Sequence, residues 1–151
     1  MNVDLDQKLD EFRAGLKKQE RRERMFVASE MADWFEYGRD LPENFHRQMA
    51  DMLIEAALVE TDEDPLEAIL NAIGAGTCYR NLSPEIAWHK IGDFLPRLKS
   101  PLLEYGIGIL GECRNPDMLR YVEPYLDDPR ETVCEEAVRA YEVMRSRTQG
   151  P

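Results

Sequence analysis

The chain has 151 residues, of which 43% are hydrophobic, so it can bury the core of one globular domain. Its 30 acidic residues outnumber its 19 basic residues and give a net charge of −11 at pH 7. Because an acidic surface repels phosphates, nucleic acid and anionic membranes are disfavoured as partners, and a basic partner is favoured.

The first 38 residues carry two apolar stripes with helical spacing. The first stripe has intervals of four, three and four positions and consists of Leu5, Leu9, Phe12 and Leu16. The second runs from Met25 to Phe35, and Gly38 follows it, where a helix commonly ends. Residues 17–24 mix both charge signs, which is typical of a solvated helix face or a helix junction. The pattern leaves open whether residues 4–37 form one helix or two.

From residue 40 onward, capping residues and prolines mark the predicted helix starts. A capping side chain accepts a hydrogen bond from amides that have no partner within the helix, and proline at the first position presets φ. The capping residues are Asp40, Asp64, Ser83, Ser100, Asn115 and Asp128. They predict helices over 41–59, 65–75, 84–98, 101–113, 116–126 and 129–146. No segment shows strand alternation, so the fold is predicted to be all-α, with seven or eight helices.

Residues 91–138 contain one pattern twice, at a constant offset of 28 positions. The first copy is Ile91, Phe94, Pro96, Leu98 and Pro101, and the second is Leu119, Val122, Pro124, Leu126 and Pro129. The prolines and the leucine are identical, the other positions are apolar in both copies, and an apolar helical stripe follows each copy. Repeated units of this kind predict stacked helical hairpins, which form an α-solenoid.

The stretch from Ser100 to Met144 resembles a HEAT-type repeat. It has a helix rich in small residues at 105–111, a short turn with Asn115 and Pro116, and a Leu-Asp-Asp-Pro corner at 126–129. Glycine inside a helix lowers helix propensity, and close approach to a neighbouring helix is the expected compensation. The glycines concerned are Gly106, Gly108 and Gly111.

The HEAT resemblance covers about residues 65–146 and departs from the family at 74–82, where the turn is longer. It implies a right-handed α-solenoid of HEAT-like stacked hairpins. We expect a single domain over 1–151, in which residues 1–60 pack on the repeats as N-terminal helices. HEAT-type folds serve many functions, so the resemblance to the fold assigns none.

Motifs for catalysis or metal binding are sparse, although carboxylates are abundant because the chain is acidic. The chain has two histidines, and no serine or cysteine lies in a nucleophile motif, so no enzyme activity is predicted. Glu43 and His46 have the spacing of half a di-iron site, but Glu85 and His89 are four positions apart rather than three. We therefore predict no metal and no cofactor, and expect His46 on the exposed side of its helix.

The cysteines predict the compartment rather than a site. Cys78, Cys113 and Cys134 are widely spaced and match neither a zinc motif nor a disulfide framework. Cys113 and Cys134 are interpreted as small buried hydrophobic residues. A reducing cytoplasm is the natural location. The chain also has no apolar run near the roughly 20 residues of a membrane span, and its first residues lack the apolar core of a signal peptide.

Two groups of residues are candidates for binding a partner. In the HEAT resemblance, the second helix of each pair, here 84–98 and 116–126, lines the concave face. Aromatic residues and arginine among carboxylates are typical of an interface hot spot. The candidates on these helices are Glu85, Trp88, His89, Asp93, Asp117, Arg120 and Tyr121, with Tyr125 beside them. The alternative is that Trp88 and Tyr121 are half-buried packing residues.

The second group is an acidic segment before the helix predicted at 65–75. Its carboxylates belong to Glu60, Asp62, Glu63 and Asp64. Carboxylates of one sign raise the rate of association with a cationic surface. The alternative is a solvated turn in which Asp64 caps the helix.

The expected function is non-enzymatic binding of a basic protein, by a chain that is a monomer or a weak dimer. A nuclease must present Lys and Arg to phosphates, and a small acidic domain can occupy that cationic groove. The specific expectation is therefore an immunity protein that neutralises a basic, nuclease-type toxin in a bacterial toxin–immunity system, of the contact-dependent inhibition or polymorphic toxin kind. The alternative is a HEAT-type scaffold, adaptor or chaperone for an endogenous protein.

Overall fold

The computed structural model describes residues 3–148, and every regular element in that range is helical. It contains eight α-helices and three short 3-10 helices, with no strand among the described residues, so the all-α prediction is confirmed. No helix within 3–148 is long and apolar enough to cross a membrane. Contacts divide the chain into two compact units, Met1–Asn81 and Leu82–Pro151. The expectation of a single domain, with N-terminal helices packed on repeats, stays a prediction.

The first unit contains four α-helices. They are α1 (Leu5–Gly15), α2 (Arg21–Tyr37), α3 (Glu43–Val59) and α4 (Glu63–Tyr79). Residues 4–37 therefore form two helices, with a turn at 16–20 between them. α2 packs most extensively on α4, and α1 packs on α3, so helices that are next but one in the chain lie side by side.

The core of the first unit consists of the apolar stripes that helical periodicity predicted. Each helix turns one face inward, because burying apolar surface is the main stabilising contribution to the fold. The buried side chains include Leu9, Phe12, Leu16, Met31, Phe35, Phe45, Met49, Leu53, Ile69, Leu70 and Ile73.

The second unit has shorter helices. They are α5 (His89–Phe94), α6 (Leu102–Glu112), α7 (Leu119–Val122) and α8 (Glu131–Thr148), with 3-10 helices at Leu95–Arg97, Pro116–Met118 and Glu123–Tyr125. α6 packs on α8, and α5 contacts α7, so alternate helices again lie side by side. Within each unit, this packing of neighbouring helices is consistent with a solenoid-like arrangement. The right-handed sense stays a prediction.

The two copies of the proline pattern have equivalent local structure in the second unit. Pro96 lies in the 3-10 helix that directly follows α5, and Pro124 lies in the 3-10 helix that directly follows α7. Proline has no amide hydrogen to donate, which favours the end of an α-helix at these points. The copies differ at the leucine, because Leu98 is buried whereas Leu126 is half-buried.

Two predicted caps in the first unit are wrong. α3 begins at Glu43 with Pro42 at the N-cap position, and no side chain caps it, so Asp40 does not do so. α4 begins at Glu63 rather than at Pro65, so Asp64 lies inside the first turn and is not the N-cap. An acidic residue in that turn interacts favourably with the positive end of the helix dipole, which accounts for its position.

The helix predicted from residue 84 is also wrong at its start, because α5 begins at His89. The Ser83 hydroxyl accepts a hydrogen bond from the Glu85 amide at 3.1 Å, but a turn follows instead of a helix. Asn115 does act as predicted, because its side-chain oxygen accepts from the Asp117 amide at 3.0 Å. The Asp128 carboxylate accepts from the Arg130 amide at 2.9 Å, just before α8.

Candidate protein-binding surface

The acidic segment at 60–64 is partly used to hold the first unit together. Arg24 Nε donates to Glu60 Oε1 at 2.7 Å, and Arg24 Nη2 donates to Asp62 Oδ2 at 2.9 Å. The same guanidinium donates through Nη1 to the carbonyls of Lys18 and Gln19, both at 2.8 Å. One side chain therefore joins the turn between α1 and α2 to the turn between α3 and α4.

This arrangement reduces the charge that the segment can offer to a partner. The Glu60 side chain is only 7% exposed, and both Glu60 and Asp62 pair with Arg24, whose single positive charge balances one of the two carboxylates. Asp64 lies 3.8 Å from Arg21, a loose pair between exposed groups that contributes little. Glu63 and Asp64 are the members of the segment that remain exposed without a close ion pair to a described residue.

The candidate residue Trp88 is completely buried, with 0% exposure, and its indole nitrogen donates to the Ser83 carbonyl at 3.2 Å. The expectation that Trp88 contacts a partner is therefore wrong, and its alternative as a packing residue is right. Residue 88 precedes α5, so the helical spacing used to place it on an outer face did not apply. The sequence feature that indicated burial was the tryptophan itself, because an indole is usually buried with its N–H hydrogen-bonded.

Tyr121 is half-buried and serves α7 as a packing residue against α5. A Cβ added to Gly92 would lie 2.4 to 2.6 Å from three carbons of the Tyr121 ring, so the ring covers the glycine. Arg120 Nη2 donates to the Tyr121 hydroxyl at 2.9 Å, and the guanidinium lies 4.8 Å from the ring centroid. The structure thus brings Arg120 and Tyr121 together beside α5.

The remaining candidates of the second unit are exposed. His89 and Asp93 are one turn apart on α5, while Glu85 lies in the turn before it and Asp117 lies in the 3-10 helix before α7. Tyr125 is half-buried, and burial raises the pKa of its hydroxyl. A role for these residues in partner binding stays a prediction.

A groove between α2 and α4 was not predicted from the sequence. It has a volume of about 420 Å³ and is lined by Met25, Ser29, Ala32, Asp33, Asp64, Glu67, Ala68 and Asn71. Its lining includes three carboxylates and no cation. Within the described part of the chain, Asp33 and Glu67 have no ion pair, so their charge is available to a ligand. We refer to these lining residues as the acidic groove.

The acidic groove could not be found by reading along the chain, because it joins residues more than 30 positions apart. The sequence did contain one local indication of the groove, namely its small residues. Ser29, Ala32 and Ala68 let α2 and α4 approach closely. Two other grooves of the first unit are larger, at about 530 and 540 Å³. Both have cations and carboxylates on their rims, so neither selects for one sign of charge.

His46 is buried, so its expected exposed position is wrong. Its Nε2 lies 2.8 Å from the Gly38 carbonyl and donates to it, and the ring stacks on Phe35 with centroids 5.8 Å apart. The Nδ1 atom is buried and has no partner among the described residues. No group of three or more His, Cys, Asp or Glu residues within 3–148 could hold a metal ion.

We expect His46 to make the fold less stable in mild acid. Burial, followed by the nearby Arg80 charge, lowers the pKa of His46 below its ordinary value, although the bond to Gly38 opposes this. The unfolded chain therefore binds a proton at a pH where the folded chain does not. Stability is fully present above the unfolded pKa of about 6.5 and declines as the pH falls through the range between the two pKa values.

Urea unfolding midpoints between pH 7.5 and 5.5 measure this effect. In the His46→Gln variant, the decline between pH 7.5 and 5.5 should become shallower than in the parent chain. His89→Gln, which changes an exposed histidine, is the control and should retain the parent slope. Equal slopes in all three proteins would contradict the assignment to His46.

The buried cysteine of the second unit, Cys113, is not a reactive thiol. Burial raises the pKa of Cys113 to about 11, so its thiol is neutral at physiological pH and is not a nucleophile. Cys113 is buried as predicted, while Cys134 is half-buried and its thiol donates to the Leu126 carbonyl at 3.1 Å. Cys78, in the first unit, is an exposed free thiol.

The fold and the acidic groove define a small all-α protein with an anionic surface on its first unit. No protein-family model matches the sequence, and neither does any curated protein compared with it.

Proposed function

We propose that this chain is a non-enzymatic protein-binding domain whose basic partner docks in the acidic groove between α2 and α4. The observation that carries the proposal is the set of three carboxylates without a cation in the lining of that groove. A Lys or Arg side chain placed there would pair with Asp33 or Glu67 without first displacing an internal ion pair. The net charge of −11 attracts the same class of partner over longer distances.

Within this class, we propose a HEAT-like immunity protein that neutralises a basic, nuclease-type toxin by direct binding in the cytoplasm. A nuclease concentrates Lys and Arg where it binds phosphates, and a rigid acidic surface can occupy that position. The exposed Cys78 and buried Cys113 thiols are compatible with a reducing compartment. The alternative function is a HEAT-type scaffold, adaptor or chaperone for an endogenous protein. A toxin gene next to this one would favour the immunity protein over the alternative.

The groove is tested with two variants that remove equal charge. One is Asp33→Asn with Glu67→Gln, and the other is Asp127→Asn with Glu135→Gln, two exposed carboxylates of the second unit that are not candidate binding residues. A labelled octalysine peptide, titrated by fluorescence anisotropy at low salt, reports binding to each full-length chain. We expect the groove variant to bind about tenfold more weakly than the parent, because two close charge pairs are lost.

The control pair should weaken binding of the peptide by about twofold at most, since only the long-range charge changes. Raising the salt concentration should bring the parent close to the groove variant. Equal losses in the two variants would show that the peptide responds to net charge, and would remove the groove from the proposal.

A further inference from the structure

The C-terminal ends of α2 and α4 are fixed side by side in the first unit. The Arg80 guanidinium donates through Nε to the Phe35 carbonyl at 2.5 Å and through Nη2 to the Glu36 carbonyl at 2.9 Å. These carbonyls belong to the last turn of α2, where no partner is available within the helix. Because Tyr79 precedes Arg80 and Tyr37 follows Glu36, the bonds bring both tyrosines to one corner.

The two tyrosines are exposed although they are large aromatic residues. Tyr37 is 76% exposed and Tyr79 is 48% exposed. The Glu36 carboxylate lies near the Tyr79 hydroxyl, and its charge is the largest cause of the raised pKa of Tyr79. The Tyr79 hydroxyl therefore stays protonated at physiological pH. We call Glu36, Tyr37 and Tyr79 the tyrosine corner.

The tyrosine corner continues the acidic groove along the same two helices. On α2, Tyr37 follows Asp33 by four positions, which places both on one face. On α4, the distance along the helix axis from Asp64 to Tyr79 is about 22 Å at 1.5 Å per residue. Between the groove and the corner, a Cβ on Gly74 would meet no atom within 4 Å, so this part of the surface is open.

We propose that the tyrosine corner binds an arginine side chain from the basic segment that occupies the acidic groove. This inference rests on the proposed function and adds the identity of one recognised side chain. A guanidinium is planar and weakly hydrated, so it stacks on aromatic rings and pairs with a carboxylate better than an ammonium group does. The ring faces are supplied by Tyr37 and Tyr79, and the carboxylate by Glu36.

The helix termini favour a cation at the same place. Neither α2 nor α4 has a basic residue in its last turn, and the Arg80 guanidinium complements the negative end of α2, so among the described residues the end of α4 is the one without a bonded cation. Arg80 brings one positive charge to the corner, but its guanidinium is committed to the two carbonyls of α2. An incoming arginine therefore meets the carboxylate of Glu36 and the exposed rings.

Binding of octa-arginine and octalysine peptides to the full-length chain tests the proposal. We expect the parent to bind octa-arginine about fivefold more tightly than octalysine. Tyr37→Ala with Tyr79→Ala should reduce this preference to about twofold or less and leave octalysine binding nearly unchanged. Tyr37→Phe with Tyr79→Phe retains both rings and should keep the preference. Tyr105→Ala, a change at a partly exposed tyrosine of the second unit, is the matched control.

Urea unfolding checks that each variant is folded. If the double alanine variant does not fold, the single variant Tyr37→Ala takes its place. The proposal is overturned if the parent shows no preference, if the alanine variant keeps it, or if the phenylalanine variant loses it. Failure of the proposed function gives a different result, because octalysine binding would then be insensitive to Asp33→Asn with Glu67→Gln. A parent chain that shows no arginine preference, alongside an intact effect of the groove variant, would reject the corner alone.

Discussion

Replacing Trp88 with alanine is expected to lower the free energy of unfolding by about 3–5 kcal/mol. Trp88 is the largest of the fully buried side chains. Its removal loses the transfer free energy of the indole and leaves a cavity that the surrounding residues fill only in part. It also removes the donor to the Ser83 carbonyl, which leaves the Ile86 amide as the other donor to that oxygen.

Urea unfolding, monitored by circular dichroism, measures the decrease in the free energy of unfolding. Trp88→Phe keeps most of the apolar volume and should cost about 1–3 kcal/mol, so the two variants separate packing from hydrogen bonding. Phe26→Ala removes an aromatic side chain that is 69% exposed, and should stay within about 0.5 kcal/mol of the parent. A cost for Trp88→Ala as small as that of Phe26→Ala would mean that the indole is not buried in solution.

Trp88 also shows where reading the sequence failed. Helical spacing from the Ser83–Pro84 signal placed it on an outer face with Glu85, but the helix begins at His89. The serine hydroxyl does accept a hydrogen bond from an amide, yet it supports a turn rather than a helix. A cap is a local preference of about 1 kcal/mol, and burial of an indole outweighs it.

The all-α class, the apolar stripes and the proline corners followed from the sequence, because each depends on residues within one or two turns. The acidic groove and the Arg24 bonds did not, because they depend on which helices pack together. Arg24 lies in a mixed-charge run that resembles a solvated face, but its partner Glu60 is 36 positions away. Charge and periodicity predict the kind of surface, whereas the neighbouring helix decides which charges stay free.

Two glycines of α6, Gly108 and Gly111, test the prediction that close approach of a neighbouring helix compensates for the low helix propensity of glycine. At Gly111, an added Cβ would lie 2.6 Å from the Cα and Cβ atoms of Ala140 in α8, so the two backbones are already in contact. At Gly108, an added Cβ would lie 2.8 Å from the Glu136 carboxylate and 3.6 Å from Nη2 of Arg139, which pairs with that carboxylate. That carboxylate is the flexible end of a side chain and can move aside.

Gly111→Ala is therefore expected to lower the free energy of unfolding by about 1–3 kcal/mol, since α6 and α8 must separate. Gly108→Ala should range from neutral to about 1 kcal/mol more stable, because alanine has the higher helix propensity and the obstacle is movable. Thermal and urea unfolding of the two single variants give the comparison. Gly111 lies next to the end of α6 and gains less helix propensity than Gly108, so most of the difference between the variants reports the backbone contact with Ala140. A stabilised Gly111→Ala variant would mean that α6 and α8 are farther apart than the structure has them.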